Sequence, residues 1–182
     1  MAACAAILGV TLKPGDVVLL PADAYYTIRR FAESWLTDYG IVVRMAPTRG
    51  EAQAALLDGA KLLWIETPSN PGLEVCDLAK LLGLAKEKGV LTAVDNTTAT
   101  AFLQQPLELG ATFSVASDTK ALTGHSDLLL GHVATRDAEW MTRLRTWRTQ
   151  YGSIPGPMEG WLAHRSLGTP SLRMARQCAT AH

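Results

Sequence analysis

Three cysteines, no long apolar run and no surplus of either charge set the first limits on this 182-residue chain. Cys4, Cys76 and Cys178 are odd in number, far apart and without a CxxC pair, which excludes a disulfide framework or a cysteine zinc site. No apolar run reaches the roughly 18 residues of a membrane span, and the N-terminus has no basic signal region, so no membrane partner and a cytoplasmic location are expected. Lys and Arg together number 17, as do Asp and Glu, so no basic field draws nucleic acid. Any anionic ligand must be held by local groups. With 15 glycines and 9 prolines the chain is too poor in both for a fibrous or low-complexity protein. There is no internal repeat, and no GxGxxG or P-loop marks a nucleotide site. His125, His132, His164 and His182 lack metal-ligand spacing, so no metal is assigned.

What the chain does have is the composition of an ordinary globular domain, 48% hydrophobic and 19% charged. Short apolar runs at Val17–Leu20, Ile41–Val43, Leu62–Ile65, Leu91–Val94, Thr112–Ala116 and Leu128–Ala134 read as strands. Most show no polar alternation, as strands covered on both faces do. Between them run helical stripes. Ile28, Phe31, Ala32 and Trp35 form one, with Gly40 as the stop; Leu78, Leu81, Leu82 and Ala85 form another, between Asp77 as N-cap and Gly89. Trp140, Leu144, Trp147 and Tyr151 follow Asp137, and Pro157 opens a further helix that Gly168 closes. The Trp and Met residues of these stripes are expected in the core. The alternation predicts an α/β fold, a mainly parallel sheet with helices on both faces.

Open parallel sheets bind ligands beyond the carboxyl ends of their strands, and the polar outliers gather there. Tyr25 follows the first strand, Glu66 to Pro71 the third, Asp95-Asn96-Thr97 the fourth and Ser117-Asp118-Thr119-Lys120 the fifth. Each has a plain explanation alone: Asp95 as a helix cap, Glu66 to Pro71 as a turn, Ser117 and Thr119 as caps, Lys120 as a solvated lysine. One chemistry uses them all, imine formation with a pyridine aldehyde phosphate. Lys120 is then the nucleophilic amine and Asp95 the partner that keeps the pyridine nitrogen protonated. Tyr25 stacks on the ring, and the hydroxyls of Ser117 and Thr119 hold the phosphate.

Over essentially its whole length the sequence resembles the Cys/Met-metabolism pyridoxal-phosphate (PLP) enzymes related to cystathionine γ-lyase and γ-synthase. The most specific stretch is Ser117-Asp118-Thr119-Lys120 with Gly124-His125-Ser126-Asp127, preceded by Glu66 to Pro71 and Asp95 to Thr97. The resemblance implies the large domain of a fold type I, aspartate-aminotransferase-like PLP enzyme. It implies that Lys120 carries the cofactor and moves protons, with Tyr25 also catalytic. Asp95, Tyr25, Ser117 and Thr119 would bind the cofactor, Asn70 would lie near its ring or the substrate, and the backbone of Met1 would bind phosphate. The implied reaction is cleavage of the Cγ–S bond of cystathionine, giving cysteine, an oxo acid and ammonia. γ-Synthase, β-lyase and methionine γ-lyase activities are the alternatives, and a non-catalytic interaction module is a third.

The chain departs from the family pattern in places. Tyr25-Tyr26-Thr27 stands for a Tyr-Gly-Gly-Thr loop, one residue shorter, and Ala121 occupies a position where tyrosine is common. The glycine that precedes the methionine is absent. Family members also carry an N-terminal arm and a C-terminal domain with the substrate-carboxylate arginine, and neither is recognisable here. A fragment is therefore expected, with residues 1–168 as the cofactor domain and 169–182 leading toward a further domain. Arg165, Arg173 and His125 are read as structural. The partners implied are a small amino acid substrate and other copies of the chain, as a dimer of dimers.

Overall fold

A computed structural model describes residues 1–181; His182 lies outside the described residues. The strands are β1 Val17–Pro21, β2 Val42–Ala46, β3 Leu62–Glu66, β4 Leu91–Asp95, β5 Phe113–Ser117 and β6 Gly131–Ala134. They form one sheet in the order β2-β1-β3-β4-β5-β6, parallel except for β6, which runs antiparallel to β5. The helices are α1 Ala2–Thr11, α2 Tyr26–Phe31, α3 Ala52–Ala55, α4 Leu78–Glu87, α5 Thr100–Leu103, α6 Ala138–Tyr151, α7 Pro157–Ser166 and α8 Pro170–Ala181. The α/β architecture with a mostly parallel sheet is therefore the one expected.

Successive side chains of a strand point to opposite faces, and here both faces are buried. Val18 and Leu20 of β1, Leu62 and Trp64 of β3 and Phe113 of β5 pack with α1, α2 and Leu144 of α6. Leu19, Leu63, Ile65 and Val94 face the other way, onto Leu78, Leu81, Leu82 and Ala85 of α4. The absence of polar alternation thus has its cause in two cores, one on each side. Asp77 caps α4 by accepting from the Lys80 N–H at 3.0 Å, and Asp137 caps α6 through the N–H groups of Glu139 and Trp140.

Some details differ from the sequence reading. The second strand begins one residue later than Ile41 and extends to Ala46 on the sheet edge. Leu128 to Leu130 are not part of β6, and Leu129 is 82% exposed. After Phe31 the second helix runs on as a π-helical turn, Ala32–Leu36. That turn rotates the later positions, and Trp35 is exposed, stacked between Phe31 and Tyr39 at 5.2 Å from each. Met158 and Trp161 are exposed as well, contrary to the core role expected from helical spacing. Trp140 and Trp147 do pack on the core, Trp140 edge-on to Phe113.

Gly9 is what lets α1 lie close to α6. A Cβ there would lie 2.0–2.6 Å from three carbons of the Trp147 ring, so the ring keeps its place against α1 because that position has no side chain. Gly9→Ala is expected to cost about 1–3 kcal/mol in denaturant unfolding, with a changed tryptophan emission. Trp147→Leu in the same chain should recover part of that loss, and full additivity of the two changes would refute the contact.

Candidate active site

The order β2-β1-β3 places the topological switch between β1 and β3, where an open α/β sheet leaves a crevice at its carboxyl edge. Glu66 closes β3 at that point and is buried. Its Oε2 accepts the Tyr25 N–H at 2.9 Å and its Oε1 the Asn70 N–H at 2.8 Å. One carboxylate therefore sets the backbones of two loops that carry expected site residues. The Asn70 loop contains cis peptides at Thr67–Pro68 and Asn70–Pro71. Burial pushes the Glu66 carboxyl up to about 7; the two N–H groups oppose the shift, and the neighbouring Asp95 adds to it.

Asp95 stands beside Glu66 in the ladder, at the end of β4. Its Oδ1 accepts both the Thr97 hydroxyl at 2.6 Å and the Thr97 N–H at 3.0 Å. The same hydroxyl accepts the Ser117 N–H at 2.9 Å, so Thr97 ties the end of β4 to the end of β5. Burial raises the Asp95 carboxyl above the usual carboxylate range, against the Thr97 bonds and the positive charge at Met1. Cys4, one turn into α1, is pushed up to about 12 by burial and by Asp95 and Glu66. The start of α1 therefore lies near both carboxylates.

Lys120 begins the turn that follows β5, its N–H donating to the Ser117 carbonyl at 3.2 Å and its carbonyl accepting from Gly124 at 2.9 Å. The side chain is exposed and has no carboxylate partner among the described residues. Thr119 is braced across the loop: its hydroxyl donates to the Leu130 carbonyl at 3.2 Å and accepts the Leu130 N–H at 3.0 Å. Behind it Asp118, buried, accepts from His132 Nδ1 at 2.6 Å, and that contact raises the imidazole above its ordinary range. An open cavity of about 860 Å³ lies over the turn, lined by Lys120, Thr119, Gly124, Asp127 and Glu159 among others. Asp95 and Tyr25 are not part of its lining, so it marks the lysine turn rather than the whole edge.

The expected residues thus fall on one continuous edge. Tyr25 and Asn70 join through Glu66, Glu66 neighbours Asp95, and Asp95 reaches Ser117 and the lysine turn through Thr97. Thr97, Glu66, His132 and Gln104 have positions that the sequence did not assign to them. Gln104 Nε2 donates to Asn96 Oδ1 at 2.9 Å and to the Thr67 carbonyl at 3.1 Å, and the Gln104 carbonyl accepts from Asn96 Nδ2 at 2.9 Å, holding the third and fourth loops together. Thr97 and Glu66 had a signal, since both lie in the recognised stretches; His132 and Gln104 had none. Among the described residues no group of three His, Cys, Asp or Glu side chains could hold a metal ion, and no helix is long and apolar enough to cross a membrane.

Glu66 gives the edge a pH signature. Its carboxyl is raised from 4.5 to about 7 on folding, so between those values the native chain binds more protons than the unfolded chain. Its contribution is present below about 4.5 and is lost as pH rises through about 7. In urea unfolding of the cofactor-free chain, wild type should lose on the order of 3 kcal/mol across that window relative to Glu66→Gln. Equal slopes in the two proteins would assign the titration to another group.

Comparison with known proteins gives the chain's family and fold. The family model of the Cys/Met metabolism PLP-dependent enzymes matches residues 1–182. A Streptomyces coelicolor protein provisionally named cystathionine gamma-lyase is 58% identical over 181 residues, all of this chain and 46% of that protein. The solved cystathionine gamma synthase of Xanthomonas oryzae, in complex with aminoacrylate and cysteine, superposes with a TM-score of 0.91 at 37% identity, over 94% of this chain and 45% of that one. CalE6 of Micromonospora echinospora, described in one structure as a methionine gamma lyase and in another as a cystathionine gamma lyase, gives 0.87 and 0.88 at 41% and 40% identity. Its two structures match 94% of this chain and 47% and 46% of theirs. The chain spans about half the length of the relatives it matches. It belongs to the Cys/Met metabolism PLP-dependent enzyme family.

Proposed function

We propose that this edge holds pyridoxal phosphate on Lys120 and serves a trans-sulfuration lyase of the cystathionine γ-lyase type. The residues present fit the cofactor. Asp95 is a half-buried carboxylate raised by desolvation, hydrogen-bonded only through Thr97 and without an ion pair among the described residues, which is the environment that a protonated ring nitrogen would relieve. That is the observation carrying the proposal.

Bound pyridoxal phosphate supplies an aldehyde that condenses with amines and a ring that accepts the electron pair released at the substrate's Cα. Lys120 would hold the cofactor through its Nζ and, when freed by the substrate amine, would take and return the proton at the substrate's Cα. Asp95, fixed by Thr97, would keep the ring nitrogen protonated. Tyr25 offers an aromatic face at 43% exposure, its backbone fixed by Glu66. Ser117 and Thr119 hydroxyls, with the N–H groups at the start of α1 after Met1, would form the phosphate side, the Thr119 hydroxyl turning from the Leu130 carbonyl to donate there. Asn70 orients the ring or the substrate. Residues 1–168 form the cofactor domain in this reading, and 169–182 lead toward a further domain. Full-length protein would assemble as a dimer of dimers.

The 58% identity to the Streptomyces coelicolor protein supports lyase activity on cystathionine. The TM-score of 0.91 to the Xanthomonas enzyme keeps γ-synthase as the second reading. Assays with cystathionine, methionine and an O-acylhomoserine separate them, and cysteine release from cystathionine is the expected outcome. Lys120→Ala should show no visible absorbance from covalently bound cofactor. Asp95→Asn should retain uptake while losing about 100-fold or more in turnover, since only the electron-accepting step needs the ring cation. A persistent band in Lys120→Ala would remove Lys120 from the site.

A further inference from the structure

We propose that Arg173 is a positioning residue for Lys120, clamping the turn that carries the lysine amine; this rests on the cofactor reading above. Arg173 belongs to α8, yet its guanidinium reaches back about fifty residues in sequence to the loop after β5. Its Nη1 donates to the Ala121 carbonyl at 2.6 Å and its Nη2 to the Leu122 carbonyl at 2.7 Å. Nη2 also donates to the Ser166 carbonyl at 3.3 Å, and Nε to the Thr169 hydroxyl at 3.1 Å. The two carbonyls belong to the residues that directly follow Lys120.

The rest of the turn is built to receive this group. Lys120 to Gly124 closes on itself, with the Gly124 N–H on the Lys120 carbonyl at 2.9 Å and the Thr123 hydroxyl on the Asp118 carbonyl at 2.5 Å. The Ala121 and Leu122 carbonyls then point out of the turn, and a cation is the partner that such groups favour. Gly124 has φ +66°, and a Cβ there would collide with Arg173 Nη1, so both the backbone angle and the guanidinium require glycine. Farther along the loop Arg165 of α7 pairs with Asp127, Nη2 to Oδ2 at 2.6 Å. Arg165 therefore holds the far side of the loop, while Arg173 bonds the two residues that follow the lysine. A planar fork can meet two carbonyls while still donating back to its own helix. A lysine ammonium has three donors on one atom and cannot span them in the same way.

The consequence is selective. With the clamp gone, Lys120 keeps its exposure but loses the fixed backbone from which its amine is presented. Cofactor capture depends on that presentation, because a misplaced nucleophile is held in reacting geometry for less of the time.

The test compares wild type, Arg173→Met and Arg173→Lys in the full 182-residue chain. Amide exchange is measured at residues 121–124 without cofactor, and the rate of covalent pyridoxal phosphate capture is followed by visible absorbance. Arg173→Met should raise exchange at the turn and slow capture by about tenfold or more, with Arg173→Lys intermediate in both. The melting transition of the sheet reports folding separately, and Arg165→Met should slow capture far less. Capture at the wild-type rate in a folded Arg173→Met protein with a loosened turn overturns the inference and leaves a structural clamp only. Faster exchange spread over the whole chain, with Arg165→Met equally slow, also overturns it. A wild-type chain that captures no cofactor, with Lys120→Ala indistinguishable from it, sinks the cofactor reading and this inference with it.

Discussion

Placing a buried carboxylate beside a half-buried one is unfavourable unless each is supplied with hydrogen bonds, and Glu66 and Asp95 meet that demand at the carboxyl edge of the sheet. Glu66 is neutralised in part by a raised titration and in part by two backbone N–H groups from separate loops. Asp95 has only Thr97, on one oxygen. The difference gives the edge its division of labour. The better-satisfied carboxylate fixes Tyr25 and Asn70 in place, and the less-satisfied one keeps a demand for positive charge at the end of β4. Thr97 then passes the position of Asp95 to β5, where the lysine turn begins.

The two cores on either side of the sheet give this edge its rigidity. Because β3 and β4 are buried on both faces, their ends cannot shift without disturbing packing in both layers. The loops themselves are held by polar braces rather than apolar contacts: Asn96 with Gln104, Thr119 with Leu130, Asp118 with His132. Such bracing suits a site that must stay open to a ligand, since it is made by other side chains and leaves Tyr25 and Lys120 exposed.

Much of this was legible in the sequence, for physical reasons. The unalternated runs of β1, β3 and β4 reported a sheet covered on both faces, and polar residues just past such runs could only lie at its carboxyl edge. Asp77, Asp137 and Pro157 showed helix starts because capping is local chemistry. Trp35 was placed wrongly, because a π-helical turn changes the residue period that the stripe assumed. Met158 and Trp161 were placed wrongly because helical spacing records which residues share a face, not whether anything covers it. The Leu128–Leu130 run looked like strand but serves as the partner of Thr119. His132, Gln104 and Arg173 act across 14, 37 and about fifty residues of sequence, and no local pattern carries such pairings.

The central claim is that one lysine among several on the surface, Lys120, is the cofactor's attachment point. Borohydride trapping of the chain loaded with pyridoxal phosphate, followed by peptide mass mapping, tests this directly. A single modified peptide bearing Lys120 is the predicted result. Label spread over Lys13, Lys61, Lys86 and the other lysines, or none at all, would contradict it.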